Sequence, residues 1–273
     1  MRYRAKKFFA VAKNLIFVPT CASCGERLSP IPEKGNMTYD KVCFCKSCAE
    51  KWEMAKTEMC PNCYNVSAKC TCTPNFFFKY QPEIPSICYY HPDADNVQSK
   101  AIITMKRRRD TELFEFMAID LYPRLNSTLT KMGISGNDCI FTWVPRKASS
   151  VRESGFDQGR VLSDELAKLF KAKSYPLFLR IGGKEQKKLS KHGRSANAKR
   201  SIKLNQSLKG FPFKTREKDI FELMQGKNIV IIDDVLTSGS TLRQAVELAR
   251  TAKAENTVVA CIAKTYLKSN KEK

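Results

Sequence analysis

One stretch limits the possible fold of this chain more than any other: Asn228-Ile229-Val230-Ile231-Ile232-Asp233-Asp234-Val235-Leu236-Thr237-Ser238-Gly239-Ser240-Thr241-Leu242. Ile229 to Ile232 run without polar alternation, the pattern of a strand buried on both faces of a parallel α/β sheet. Two carboxylates stand at its carboxyl end. A short loop of hydroxyl residues with one glycine follows, and Leu242 to Ala249 continue as a helix. A loop that opens a helix offers unpaired N–H groups and the positive end of the helix dipole, which together suit a phosphate. Gly239 lets the backbone approach an anion, and Thr237, Ser238, Ser240 and Thr241 add hydroxyl donors. Asp233 and Asp234 are acceptors suited to ribose hydroxyls, or to a hydrated magnesium ion with those hydroxyls between. A ribose 5-phosphate carries both groups. The competing reading is a Rossmann-like turn with a solvated acidic pair, and it leaves the ordered succession of strand, acids, loop and helix unexplained.

The same residues resemble the 5-phosphoribosyl 1-pyrophosphate (PRPP) motif of type I phosphoribosyltransferases, in which a hydrophobic strand leads into two acids and a T-x-G-x-T loop. The resemblance implies a mainly parallel sheet flanked by helices. It implies that Asp233 and Asp234 are the catalytic acids facing the ribose 2′- and 3′-hydroxyls, and that Thr237 to Thr241 hold the 5′-phosphate.

The cysteines form a second pattern. Cys21 and Cys24, Cys45 and Cys48, and Cys60 and Cys63 are C-x-x-C pairs, and Cys70 and Cys72 form C-x-C. Eight sulfurs in four pairs suit two tetrahedral zinc sites. The first pairing is Cys21, Cys24, Cys45 and Cys48 on one ion and Cys60, Cys63, Cys70 and Cys72 on the other. An interleaved pairing, or Cys43 in place of a neighbour, stays open. Zinc here would staple a module too small to make its own core. A redox C-x-x-C would need a thioredoxin-like setting, which the sequence does not offer. Cys88, Cys139 and Cys261 stand in apolar settings and read as core thiols.

Residues 76–100 read as a linker running into a strand or hairpin, with Phe76, Phe77, Phe78 and Tyr80 packing between modules or stacking bases. A helical pattern then runs from Asp95 to about Met132, broken in two at the basic knot Lys106 to Asp110, which is either a solvated turn or an anion contact. Cys139 to Pro145 reads as the next strand. Arg146 and Lys147 follow at its end, where ligands of open α/β sheets sit, placed to meet pyrophosphate. A helix through Gln158, Leu162, Leu166 and Leu169 comes next.

Val144-Pro145, then Arg152 and Gly155-Phe156-Asp157-Gln158, then Leu166-Ala167, resemble the V-P…R-G-F-N-Q segment of the ComF family. Arg180, Gln186, Leu189, Arg194 and Asn197 repeat its spacing of R, then Q-x-x-L, then R-x-x-N. Those are competence-associated proteins with a cysteine-rich N-terminal double zinc ribbon and a phosphoribosyltransferase-type domain. The chain departs from the pattern at Ser154, where the family has Arg, and at Asp157, where it has Asn. Arg152 is the candidate to replace the lost cation.

Residues 182–218 form a basic loop containing Lys184, Lys187, Lys188, Lys191, Arg194, Lys199 and Arg200. Its position suits the loop that type I phosphoribosyltransferases close over PRPP, with Arg194 reaching the pyrophosphate. The alternatives are a solvated charged loop, or a nucleic-acid contact through Lys187, Lys188 and Lys191. The formal net charge of +21 agrees with a polyanionic partner. Residues 1–20 read as a basic amphipathic helix that packs on its neighbour or touches a membrane surface or nucleic acid. No apolar run is long enough to span a bilayer, no signal peptide is evident, and the metal-type cysteine spacing favours a reducing compartment, so the expected location is cytoplasmic.

The organisation expected is thus a helix at 1–20, a zinc module at 21–75, a linker at 76–100 and a phosphoribosyltransferase-like domain at 101–273. Two functions follow. One is phosphoribosyl transfer from PRPP–Mg to an unidentified acceptor, a free base among the candidates. The other comes from the ComF resemblance, which implies handling of single-stranded DNA in natural transformation, beside the DNA-uptake and helicase machinery.

Overall fold

The computed structural model describes residues 18–29, 43–72, 76–92, 94–181, 201–205 and 220–265. Five parallel strands make the central sheet, in the order β1–β7–β6–β2–β3. They are β1 (Cys88–Tyr89), β2 (Cys139–Trp143), β3 (Lys173–Ser174), β6 (Asn228–Leu236) and β7 (Asn256–Lys264). Between β3 and β6, β4 (Phe178–Arg180) and β5 (Ile202–Leu204) form a separate antiparallel pair. A mainly parallel sheet flanked by helices is therefore the observed fold.

The aliphatic run at the centre has the expected cause. On β6, Val230 and Ile232 pack into one buried cluster and Ile229 and Ile231 into another. On β7, Val258, Ala260 and Ile262 alternate with Val259 and Cys261 in the same way. Both strands are sandwiched, so neither shows a polar face. One side is covered by α2 (Val97–Arg107), α3 (Thr111–Lys131) and α5 (Gln158–Leu169), with the short helix α4 (Ala148–Ser154) between β2 and α5. The other is covered by α7 (Ser240–Thr251), the short helix α6 (Ile220–Met224) and the β4–β5 pair.

The break between α2 and α3 falls within the basic knot. Asp110 caps α3 by accepting from the Leu113 N–H at 3.3 Å, and Asn96 caps α2 through Ser99 at 2.9 Å.

Of the alternatives for residues 76–100, the chain takes the strand. The stretch carries β1, which joins the sheet edge parallel to β7. Gln81 is buried and bonds the Val259 backbone in both directions, at 3.0 and 2.6 Å. Phe77 is buried against Gly239, while Phe76 and Tyr80 lie under Arg243 and Arg250 of α7 at 4.7 and 4.4 Å. The proline-broken aromatics pack on the sheet and its helix because parallel pairing needs no local turn partner.

The cysteine-rich part is not a free-standing bead. Its helix α1 (Lys46–Lys56) buries Trp52, which stacks on Phe44 at 5.4 Å and meets Phe116 of α3 at 5.8 Å. Trp52 Nε1 and Lys56 Nζ each donate to the Asp120 carboxylate at 2.7 Å. Among the described residues no helix is long and apolar enough to cross a membrane. The helix expected at 1–20 lies almost wholly outside the described residues, and so does most of the basic loop, including Lys187, Lys188, Lys191 and Arg194.

Candidate active site and metal centres

The sheet opens where β2 and β6 part company. β2 pairs with β6 up to Trp143↔Ile232, and the Val144 N–H still reaches the Ile232 carbonyl at 3.0 Å. Beyond that point β2 turns away. The strand β6 instead runs on against β7 through Asp233↔Cys261 and Leu236↔Lys264. The acids expected at the end of the strand therefore stand inside it, at the position where one neighbour is missing. This is the crevice beyond a strand's carboxyl end in which open sheets take ligands.

A cavity of about 210 Å³ fills the crevice. Asp233 and Asp234 line it from β6, Arg146 and Lys147 from the loop after β2, Gln158 and Gly159 from α5, Arg180 from β4, and Thr241 from α7. Larger clefts of about 740 Å³ along α5 and about 600 Å³ beside Cys24 and Cys48 also carry charged side chains, but neither is lined by the adjacent acid pair or by a residue of the hydroxyl loop. Chemistry, not size, selects the site.

Each group has an identifiable holder. Asp157 caps α5, its Oδ1 accepting from the Gly159 N–H at 3.0 Å and its Oδ2 from the Arg146 N–H at 3.2 Å. A carboxylate at this position thus fastens the cationic loop to the helix. Gly159 lies so close to Trp143 that an added Cβ would come within 3.2 Å of that side chain, which lets α5 start hard against β2. The Arg146 guanidinium donates to Ser154 Oγ at 3.1 Å, so Ser154 orients the arginine beside it. Arg152, read as a replacement cation, is exposed and does not line the cavity; Arg180 does.

The acid pair is asymmetric. Asp234 Oδ2 accepts from Gln158 Nε2 at 2.8 Å and faces Lys106 Nζ at 3.4 Å, while its Oδ1 accepts from the Val235 N–H at 2.7 Å. Asp233 Oδ1 accepts from the Asp234 N–H at 2.9 Å. The Asp233 carboxyl is held well above the usual carboxylate range, first by burial and then by the charge of Asp234 beside it. Lys106 belongs to the basic knot, whose alternatives were a solvated turn and an anion contact; its ammonium meets the anion of Asp234 and lies 5.6 Å from the Tyr90 ring centroid.

Thr237, Ser238 and Gly239 connect β6 to α7, and Ser240 and Thr241 form the first turn of that helix. The N–H groups of Thr237, Ser238, Gly239 and Thr241 meet no acceptor among the described residues. Ser240 N–H reaches only Ser238 Oγ, at 3.5 Å. Gly239 has φ +69°, and a Cβ there would stand 2.8 Å from Phe77. Glycine is thus demanded by backbone conformation and by the aromatic behind it, a reason beyond the anion approach expected from sequence.

Sequence reasoning placed none of Lys106, Gln158 and Arg180 in the cleft. Gln158 carried a local signal, since it opens a helix directly after the Asp157 cap. Lys106 stood out only as part of a basic knot and Arg180 only as a motif position, because they reach the cleft through α2 and β4, far away in sequence.

Two groups of four cysteines complete the chemistry: Cys21, Cys24, Cys45 and Cys48, and Cys60, Cys63, Cys70 and Cys72. Within each group the sulfurs lie within 4.8 Å of one another, and all twelve cysteines are free thiols. Cys24 and Cys45 approach to 3.7 Å and Cys63 and Cys70 to 3.6 Å. Those separations suit a tetrahedral ion with sulfur bonds of about 2.3 Å. Of the sequence alternatives, neither the interleaved pairing nor Cys43 as a ligand is formed. Cys88, Cys139 and Cys261 are buried, as core thiols should be.

Residues 157–273, less than half of the chain, match the family model described as "Phosphoribosyl transferase domain". With the parallel sheet, that match gives this part of the molecule a phosphoribosyltransferase-type domain; it names no acceptor. A comparison with curated proteins gives no match. Among solved structures, a phosphoribosylpyrophosphate synthetase from Mycobacterium smegmatis aligns at 13% identity and TM-score 0.32, over 56% of this chain and 34% of its own. A hypoxanthine phosphoribosyltransferase from Staphylococcus aureus aligns at 14% and 0.33, over 62% and 76%. A purine phosphoribosyltransferase from Pyrococcus horikoshii aligns at 15% and 0.30, over 56% and 77%. The chain spans about a third of the length of the synthetase.

Proposed function

We propose that the cleft binds PRPP with magnesium and transfers its phosphoribosyl group to an acceptor. The observation that carries this reading is the convergence on one cavity of an acid pair, Thr241 of the first turn of α7, and three cations from two separate elements. Thr237 to Thr241 offer unpaired amides and hydroxyls to the 5′-phosphate. Asp233 and Asp234 accept from the ribose hydroxyls and lie near the positive charge that builds on the sugar as pyrophosphate leaves. Arg146, Lys147 and Arg180 face the departing pyrophosphate, and Arg194, outside the described residues, is proposed to join them. Magnesium entering with the ligand would supply further neutralisation of the pyrophosphate, with the two aspartates holding it through the sugar hydroxyls.

Calorimetry with PRPP and magnesium tests the reading. Binding is expected for the wild-type protein, and a loss of about 100-fold or more is expected when Asp233 and Asp234 are both changed to Ala. No heat with the wild type, or equal heat with the double variant, overturns it. A pyrophosphate-release assay with free bases and single-stranded DNA then identifies the acceptor.

The Asp233 environment adds a pH prediction. Its carboxyl holds a proton above the range in which an unfolded Asp would lose it, so it favours the folded state at acid pH. That contribution is lost as pH rises from the ordinary Asp value through the raised one. Asp233→Asn is expected to flatten the loss by about 1 kcal/mol or more while weakening PRPP binding, read by thermal unfolding from pH 4 to 8.

The finer reading, a ComF-like protein that receives single-stranded DNA in the cytoplasm beside the uptake and helicase machinery, is supported by the net charge of +21 and the two cysteine groups, which we assign to structural zinc. Binding to single strands should weaken steeply with salt, and again on charge reversal at Lys187, Lys188 and Lys191. Binding indifferent to both sinks this second reading and leaves the first intact.

A further inference from the structure

Gln158 lines the cleft and carries a buried acceptor with no partner among the described residues. The residue is 6% exposed, and the acceptor is its Oε1. The orientation of the amide is fixed by its neighbour. Asp234 Oδ2 sits 2.8 Å from Gln158 Nε2 and 3.4 Å from the Lys106 ammonium. A carboxylate facing a lysine can only accept, so the amide must turn its NH₂ towards Asp234 and its carbonyl oxygen away. Turning the amide over would set two acceptors against each other. The buried oxygen therefore demands a donor from whatever occupies the cavity, since leaving it dry and unpaired is costly.

Asp234 is also largely committed. Both of its oxygens already accept from Gln158, Lys106 or the Val235 N–H. A vicinal diol entering here meets one carboxylate clamped by protein groups and, next to it, an amide oxygen with none. We infer that Gln158 Oε1 accepts a hydrogen bond from one of the two ring hydroxyls of the bound sugar phosphate. Gln158 is thereby a determinant of specificity for ribosyl over deoxyribosyl ligands. Asp157 places it by capping α5, and Gly159 lets the helix approach the strand closely enough for the amide to reach β6. Lys106 acts at one remove, by keeping Asp234 an acceptor.

This inference rests on the sugar-phosphate reading of the cleft and deepens it. A site whose buried polar group pairs with a ligand hydroxyl rejects the analogue that lacks the hydroxyl, because the group is then left unpaired. The experiment compares ribose 5-phosphate, 2-deoxyribose 5-phosphate and 3-deoxyribose 5-phosphate by calorimetry, on wild type and on Gln158→Met, which keeps the side-chain length and removes the acceptor. The wild type is expected to bind one of the two deoxy sugars about 10-fold or more weakly than ribose 5-phosphate. In Gln158→Met that discrimination is expected to fall to about 3-fold or less.

Discrimination is the decisive readout. Loosening Asp234 or the fold would weaken all three ligands together and leave their ratio unchanged. An unchanged ratio in a variant that still binds, or a wild type that binds all three equally, overturns the role of Gln158 alone. Failure of ribose 5-phosphate to bind the wild type overturns the reading of the cleft itself. Should Gln158→Met not fold, Gln158→Leu supplies the second variant. It also removes the acceptor and is expected to lose the discrimination; an unchanged ratio there counts against the proposal.

Discussion

The two cysteine groups have the same donor set and nearly the same sulfur spacing, yet their surroundings are opposite. The first, built on Cys21, Cys24, Cys45 and Cys48, reaches the rest of the molecule through helices. Thr104 of α2 donates to the Ala22 carbonyl at 2.7 Å, and Trp52 and Lys56 of α1 are tied to Asp120 of α3. Cys24 is exposed, and its nearest charged partner is Glu26 at 3.9 Å.

The second group sits on the sheet itself. Tyr89 of β1 is fully buried and donates to the Asn65 carbonyl at 2.8 Å. Lys264, the last residue of β7, is 0% exposed and donates to the Cys70 carbonyl at 3.2 Å. Burial pushes the Lys264 pKa down, while the thiols of Cys261 and Cys70 oppose that shift. A divalent ion held by four thiolates carries a net negative charge, and a buried ammonium is its natural counter-ion. Lys264 also pairs with Leu236, the residue before Thr237. One staple therefore fastens a helix to the core's flank, and the other rests on β1 and β7, the latter the neighbour of the strand that leads to the proposed phosphate loop.

The largest test of that contrast is ligand removal. Cys60→Ser is expected to lose one metal equivalent and about 3 kcal/mol or more of stability, with a fall in ribose 5-phosphate affinity. Cys24→Ser should lose a metal equivalent while leaving that affinity within about 2-fold. Metal analysis, urea unfolding and calorimetry on both variants read the difference, and equal effects on affinity would erase it.

Next comes Lys264→Met. It is expected to speed chelator removal of one metal equivalent about 10-fold and to stabilise the metal-free protein, because an uncompensated buried charge is gone. Release kinetics that match wild type would show that the ammonium does not serve the second group. A smaller effect is expected from Asp120→Asn, about 1–2 kcal/mol, through the weakened Trp52 and Lys56 contacts, with the second metal unaffected. Smallest is Glu26→Gln, beside exposed Cys24, where a change within about 0.5 kcal/mol is expected in the same unfolding assay.

Both ligand sets could be read from the sequence, because C-x-x-C spacing brings two thiolates together through local geometry alone. Which group would touch the sheet could not, since Lys264 and Tyr89 lie far from Cys60 to Cys72 along the chain. The cleft divides in the same way. Its acids, its hydroxyl loop and the Arg146–Lys147 pair each follow a strand and announce themselves locally. Lys106, Gln158 and Arg180 become site residues only when α2, α5 and β4 converge on β6. Where the strand within residues 76–100 would pair was hidden for a related reason: β1 is two residues long, and its partner β7 comes more than 160 residues later.

What the amino-acid order determined by itself was therefore everything carried by short-range periodicity: the doubly buried strand, the acid pair and hydroxyl loop at its end, the helix caps and the cysteine pairs. Tertiary structure alone decided which carboxylate is clamped and which amide oxygen is left wanting a donor, and which cysteine group shares its charge with the sheet. Electrostatic and hydrogen-bonding partners are chosen by distance in space, and a parallel sheet brings together segments whose separation along the chain holds no record of that choice.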